Sequence, residues 1–286
     1  MKEVVVLSGK GGTGKTSILG SFAVLCKSKV LADCDVDAAN LHLILNPEIR
    51  ERIEFWSGKV AVIDDEKCTK CGLCEKLCRF DAINDFQVDP VACEGCGFCF
   101  QVCPVSAIVM NEECAGSYFI SSTKYGPLVH ARLGIAQENS GKLVAQVRKE
   151  AREIAEKQGF DYILSDGPPG IGCPVISSIS GVNLALLVTE PTLSGIHDLE
   201  RLMGVLNHFG VNAAVCINKY DLNEENTLKI GQYCADKGVC VVSKIPYDDV
   251  FTEAIVNRMP VVEYSRGVIS NELESMWYKI QQLLNQ

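Results

Sequence analysis

The chain has 286 residues, 27 Lys+Arg against 36 Asp+Glu, and a formal net charge of −9. That acidic balance argues against broad, non-specific nucleic-acid binding, and a composition of 47% hydrophobic and 22% charged residues excludes wholesale disorder. No run approaches the ~18 apolar residues of a membrane span, and the opening apolar stretch, Val4–Leu7, meets a glycine loop at once, unlike a secretion signal. A reducing cytoplasm is therefore the expected location, no membrane insertion is expected, and metal is the expected use of the clustered cysteines among the fifteen.

The first predicted strand, Glu3–Ser8, runs into Gly9-Lys10-Gly11-Gly12-Thr13-Gly14-Lys15-Thr16 and then into a helical pattern over Lys15–Lys27. Strand, G-x4-G-K-T and helix in that order read as a phosphate-binding loop. Its glycines let backbone N–H groups form an anion nest, and the helix start adds a positive dipole end. Gly9, Gly11, Gly12, Thr13, Gly14, Lys15, Thr16 and Ser17 are the candidate nucleotide contacts. Lys15 is expected at the β/γ phosphates and the Thr16 hydroxyl on Mg²⁺. A second strand, Lys29–Asp33, ends in Asp33-Cys34-Asp35-Val36-Asp37, followed by Asn40-Leu41.

Eight cysteines then crowd into 36 residues as two copies of one pattern. Cys68-x2-Cys71-x2-Cys74-x3-Cys78 recurs 25 residues later as Cys93-x2-Cys96-x2-Cys99-x3-Cys103, with Pro104 after the second copy and Arg79 after the first. Zinc sites favour two CxxC pairs across a longer loop, which explains this repeat poorly. The pattern resembles the bacterial-type two-cluster ferredoxin run. That resemblance implies one [4Fe–4S] cluster on Cys68, Cys71, Cys74 and Cys103, and a second on Cys93, Cys96, Cys99 and Cys78. It covers residues 59–112, an inserted small α+β ferredoxin-like domain within a discontinuous domain of residues 1–58 and 113–286.

Beyond the insert, His130 lies in an unusual loop, Gly126–Arg132, and is expected to pack. Helical patterns follow at Lys142–Gln158, Gly195–Phe209, Glu224–Lys237 and Ile269–Leu284, alternating with strand-like runs at Asp161–Asp166, Val182–Glu190, Val211–Asn218 and Val239–Ile245. Near-continuous apolar strands alternating with helices predict an α/β fold with a doubly wound, mostly parallel sheet. Cys26, Cys216, Cys234 and Cys240 stand in apolar contexts and are expected in the core. The last helix carries Trp277, Ile280 and Leu284 with only Lys279 as a basic residue, which favours docking on the core over a membrane surface.

Lys10 in K-G-G-x-G-K-T, the D-x-D…N-L segment from Asp33 to Leu41, and Asp166-Gly167-Pro168-Pro169-Gly170 together resemble the deviant-Walker-A P-loop ATPases of the MinD/ParA/Mrp class. The resemblance implies a Mg-ATP hydrolase of the SIMIBI class and a nucleotide-dependent homodimer in which Lys10 crosses to the partner's phosphates. It puts Asp33 near the Mg²⁺ shell, Asp35 on the attacking water and Asp166 on Mg²⁺ through water. Asn218-Lys219-Tyr220-Asp221 also matches a guanine-reading motif, whereas in this class Asn218 reads adenine, with Pro246-Tyr247-Asp248 as a second base-contacting loop. Cys173, seven residues after Asp166, has the spacing of a bridging-cluster ligand in the nitrogenase iron protein, with Cys114 or Cys34 as a second ligand. The function expected is ATP hydrolysis coupled to iron–sulfur electron transfer or metal-centre assembly, acting on a redox partner or apo-metalloprotein. The alternative is a MinD-like positioning ATPase whose clusters are structural or sensory.

Overall fold

The structure, a computed structural model, describes residues 1–134 and 139–285. In chain order its elements are β1 (Lys2–Ser8), α1 (Lys15–Leu25), β2 (Lys29–Asp33), α2 (Leu41–Leu45), β3 (Glu48–Ile63), α3 (Leu73–Leu77), β4 (Ile83–Asn84), β5 (Gln87–Val88), α4 (Phe98–Val102), β6 (Ile108–Thr123), β7 (Gly126–Leu133) and α5 (Ser140–Gln158). There follow β8 (Tyr162–Pro169), α6 (Cys173–Ile179), β9 (Leu184–Thr189), α7 (Leu193–His208), β10 (Ala213–Asn218), α8 (Glu224–Asp236), β11 (Cys240–Ile245), α9 (Val250–Val256), α10 (Val261–Tyr264) and α11 (Val268–Leu284). Among the described residues no helix is long and apolar enough to cross a membrane.

The chain divides into two compact units. The first comprises Met1–Arg52, Tyr118–Arg132 and Ser140–Gln286. Its sheet runs β11-β10-β9-β1-β8-β2-β7, with β1 at the centre, and continues through the parts of β6 and β3 at residues 118–123 and 48–52. The pairs from β11 through to β7 are parallel. Successive β1 side chains point to opposite faces. Val4 and Val6 join a core with Phe22 of α1 and Leu273, Met276 and Trp277 of α11, whereas Val5 and Leu7 join one with Leu199, Leu202 and Met203 of α7. All four are fully buried, each worth roughly 1.5–3 kcal/mol relative to exposure. Both faces are covered by helices, as the apolar runs require. Below the sheet end, buried Glu3 pairs with Arg148 and Arg152, both at 2.7 Å. Arg148 also donates to the Ser177 and Ser180 carbonyls at 2.5 and 2.8 Å, tying α5 to the end of α6.

Three strands depart from the sequence expectation. The supposed loop around His130 is β7, and β3 and β6 are 16-residue strands. β3 escaped notice because an edge strand can stay largely exposed: most of its positions are exposed or half-buried, and its apolar run at 60–63 comes only at its far end. His130 packs, with Ser121 Oγ 3.0 Å from its Nε2 and the Phe119 ring 5.0 Å away. Cys26, Cys216 and Cys234 are buried, but Cys240 is exposed at the start of the edge strand β11, a correction to its expected core position.

The second unit comprises Ile53–Ser117 with Leu133–Asn139. It contains α3, the β4–β5 hairpin and α4. The two five-residue helices follow Gly72 and Gly97, at φ +73° and +72°, and end on Cys78 and Cys103 in near-identical extended conformations. The 25-residue sequence repeat is thus also a backbone repeat.

Candidate functional site

The loop after β1 depends on two glycines. A Cβ on Gly9 would collide with Asp198 of α7. Gly14 has φ +93°, and a Cβ there would lie 2.5 Å from Asn218 Nδ2; glycine adopts that backbone without strain. Asn218, at the end of β10, donates to the Thr13 carbonyl at 2.8 Å, and its Oδ1 accepts the Lys219 N–H at 3.0 Å. α1 begins directly after the loop with no acidic residue in its first turn, which leaves its N-terminal amides facing an anion site.

Lys15 is buried at the centre of the charged constellation. Its Nζ lies 3.2 Å from Asp166 Oδ1 and 3.5 Å from Asp35 Oδ2. Thr16 Oγ1 donates to Asp166 Oδ2 at 2.7 Å. Parallel register sets Asp33 of β2 beside Asp166 of β8. Asp33 accepts the Asp35 and Leu41 N–H groups, both at 3.2 Å, and so shapes the turn that presents Asp35. Burial, then the Asp166 charge, push the Asp33 carboxyl up to about 8. Burial also raises Asp35, against the pull of Lys15. Burial alone would lower Lys15, but Asp166 and Asp35 outweigh it and hold the ammonium above its ordinary value. Three carboxylates and a hydroxyl are the hard oxygen donors that Mg²⁺ takes, so this set fits the ion.

A cavity of about 580 Å³, within the range of small-molecule sites, is lined by residues 11–17, Asp35, Asn218, Pro246 and Asp248. Thr13 Oγ1 in its wall is a buried hydroxyl with no hydrogen-bond partner, consistent with a place for a polar ligand. Phe251 also lines it and was not foreseen, whereas Asn40, Lys219 and Tyr247 line it from within the segments the sequence singled out. Asp221 accepts the Tyr247 N–H at 2.7 Å, so the last residue of N-K-x-D holds the loop at 246–248.

Lys10 points away from this cavity, back onto its own chain. It forms an ion pair with Glu190 and lies 3.4 Å from both Thr192 Oγ1 and Ser194 Oγ. Glu190 also holds Lys219 Nζ at 3.2 Å, and Lys219 reaches the Gly12 carbonyl at 3.3 Å. Burial would raise the Glu190 carboxyl, but its two lysines bring it below the ordinary value. Glu190 was missed because it is remote in sequence; its only signal is its place at a strand's C-terminal end.

In the second unit, Cys68, Cys71, Cys74 and Cys103 line one cavity, and Cys78, Cys93, Cys96 and Cys99 line another. Each cavity thus takes three cysteines of one run and the fourth of the other. Four thiolates are the donor set of a [4Fe–4S] cluster, so the donor chemistry fits that group. Among the described residues no three His, Cys, Asp or Glu side chains close on a single metal-ion position; the sulfurs surround their cavities instead. Cys34 is buried, its thiol pushed far up by burial, whereas Cys114 and Cys173 are exposed.

A family model for the CobQ/CobB/MinD/ParA nucleotide-binding domain matches residues 4–261. The chain is 32% identical to an uncharacterized protein of Methanocaldococcus jannaschii, MJ0578, over 99% of this chain and 97% of that one. It is 24% identical to the septum site-determining protein MinD of Neisseria meningitidis, over 88% and 79%. Among solved structures, MinD of Pyrococcus horikoshii complexed with Mg-ADP aligns with a TM-score of 0.60 and 21% identity over 99% of this chain and 96% of that one, a likeness of fold. These matches show neither an inserted ferredoxin domain nor electron transfer, and by name they favour the MinD-like alternative over the iron–sulfur reading. Because that family model spans residues 4–261, most of the chain, the chain belongs to the CobQ/CobB/MinD/ParA family of nucleotide-binding domains.

Proposed function

We propose that this chain is a MinD/ParA-type switch: a Mg-ATP-dependent ATPase that closes into a two-fold homodimer with ATP, and whose second unit holds two [4Fe–4S] clusters. The observation that carries the ATPase is the meeting of Lys15, Thr16 and Asp35 in the wall of one cavity, with buried Asp166 behind them holding Lys15 and Thr16. Lys15 and the loop amides hold the phosphate chain and stabilise charge on the transferring phosphoryl group. Asp35, at the cavity wall, orients the attacking water. Thr16, with Asp166 and Asp33 behind it, would hold Mg²⁺, which supplies charge neutralisation to the phosphates. Lys10 leaves Glu190 and reaches the partner's phosphate, a contact that ADP supports less well. Adenine is the preferred base, because Asp221 is committed to the Tyr247 amide rather than to a guanine edge.

In the positioning reading, which the relatives' names support, the clusters are structural or sensory. A second reading, ATP-gated electron transfer to a redox partner or assembly of a metal centre on an apo-metalloprotein, is favoured by one observation: the crossed grouping of eight cysteines about two cavities. One-electron chemistry is what such clusters supply. Anaerobic reconstitution should give about eight iron and eight sulfide per chain, and light scattering should show more dimer with ATP than with ADP. Stoichiometric zinc without sulfide would refute the clusters; equal dimerisation with both nucleotides would refute the switch. A relay keeps its iron when apoprotein is added, whereas an assembly factor loses it.

A further inference from the structure

The two cysteine sets, taken as the cluster sites proposed above, differ in their surroundings. The cavity of Cys68, Cys71, Cys74 and Cys103 measures about 20 Å³ and has an apolar wall that includes Ile63, Phe86 and Ile108. Cys103 Sγ accepts the Ala107 N–H at 3.2 Å. The cavity of Cys78, Cys93, Cys96 and Cys99 measures about 380 Å³, and its wall includes Arg79 and Glu94. Both cavities carry exposed apolar residues: Phe80 and Phe98, 41% and 48% exposed, line the wide one, and Leu73 and Val105, 38% and 41% exposed, line the narrow one. The sequence asymmetry sorts the same way: Pro104 flanks the narrow cavity and Arg79 the wide one. The second cavity is much the wider, so a group of one size lies closer to its walls in the first and leaves more room beside it in the second for an incoming ligand.

We infer that Cys78, Cys93, Cys96 and Cys99 form the exchange site of the domain, where an external thiolate or carboxylate donor reaches iron first. Cys68, Cys71, Cys74 and Cys103 form the retained site. Exchange here is ligand substitution. A bond from the incoming donor to iron forms as a cysteine thiolate–iron bond breaks, no electron is transferred, and the freed thiolate takes a proton from water.

The test uses the reconstituted full-length wild-type protein, incubated anaerobically with EDTA. Iron per chain is followed over time, and freed thiols are alkylated with iodoacetamide and mapped by peptide mass spectrometry. The expected result is iron loss in two phases of equal size, with Cys78, Cys93, Cys96 and Cys99 alkylated several-fold faster than the other four. Cys96→Ser should abolish the fast phase and keep the slow one. Equal alkylation of both sets, or the Cys68 set leading, overturns the inference while two clusters still stand. Protein that binds no iron or sulfide, with all eight cysteines alkylated from the start, overturns the two-cluster reading and this inference with it.

Discussion

The ion pair between Lys10 and Glu190 sets a measurable threshold for dimer closure. Their side chains are 35% and 13% exposed. At that exposure solvent screens the pair, and it is worth about 1 kcal/mol. If Lys10 must leave Glu190 to reach a partner's phosphate, a two-fold dimer gives up two such pairs. That sums to about 2 kcal/mol, or about 25-fold in the dimerisation constant. Glu190→Gln should therefore tighten the dimer formed with a non-hydrolysed ATP analogue by about that factor at low ionic strength, and by less as salt rises. Light scattering or sedimentation across a protein-concentration series reads this directly. Glu190 also holds Lys219, so the same change is made beside Lys10→Ala, where no tightening is expected. A Glu190→Gln dimer no tighter than wild type, or equal tightening without Lys10, would refute the reasoning.

Lys15→Ala should remove most nucleotide binding, measured by titration calorimetry, because the loop loses its one buried cation. Burial and the neighbouring Asp166 charge hold the Asp33 carboxyl well above its ordinary value, so Mg-ATP binding should be accompanied by proton release from this pair. Calorimetry in buffers of different ionisation heat detects that proton, and Asp33→Asn should abolish it. The Asp33 pKa is raised above its unfolded value of 3.8, so its contribution to stability is full below about pH 4 and is lost as pH rises through about 8. The denaturation midpoint of nucleotide-free Asp33→Asn should accordingly fall less between pH 6 and 9 than that of wild type. Gly14→Ala should weaken nucleotide binding while the protein still folds, since φ +93° and the Asn218 amide both oppose a Cβ. Arg148→Met should destabilise the first unit by about 3 kcal/mol in thermal unfolding, because buried Glu3 keeps only Arg152.

What the sequence disclosed was local. The phosphate loop is legible because strand, glycines, Lys15 and helix are consecutive, and the central strands because both their faces are buried. β3 and β6 were not legible: β3 is a largely exposed edge strand, and β6, though it has a neighbour on each side, is buried at only scattered positions. The Glu190 partner of Lys10 was hidden by 180 residues of separation, and the Asp221 bond to Tyr247 by a motif whose spacing alone suggests a guanine site. The difference between the two cysteine cavities was also invisible. Arg79 could be seen to break the repeat, but which cavity it flanks depends on the fold.

The central claim concerns Asp35, which lines the nucleotide cavity 3.5 Å from Lys15. Steady-state ATP hydrolysis of wild type and Asp35→Asn, with ATP affinity measured on the same preparations, tests it most directly. The account predicts that wild type hydrolyses ATP, and that Asp35→Asn retains binding but turns over far more slowly. Hydrolysis by Asp35→Asn at the wild-type rate, or no hydrolysis by wild type in any nucleotide or cluster state, would contradict it.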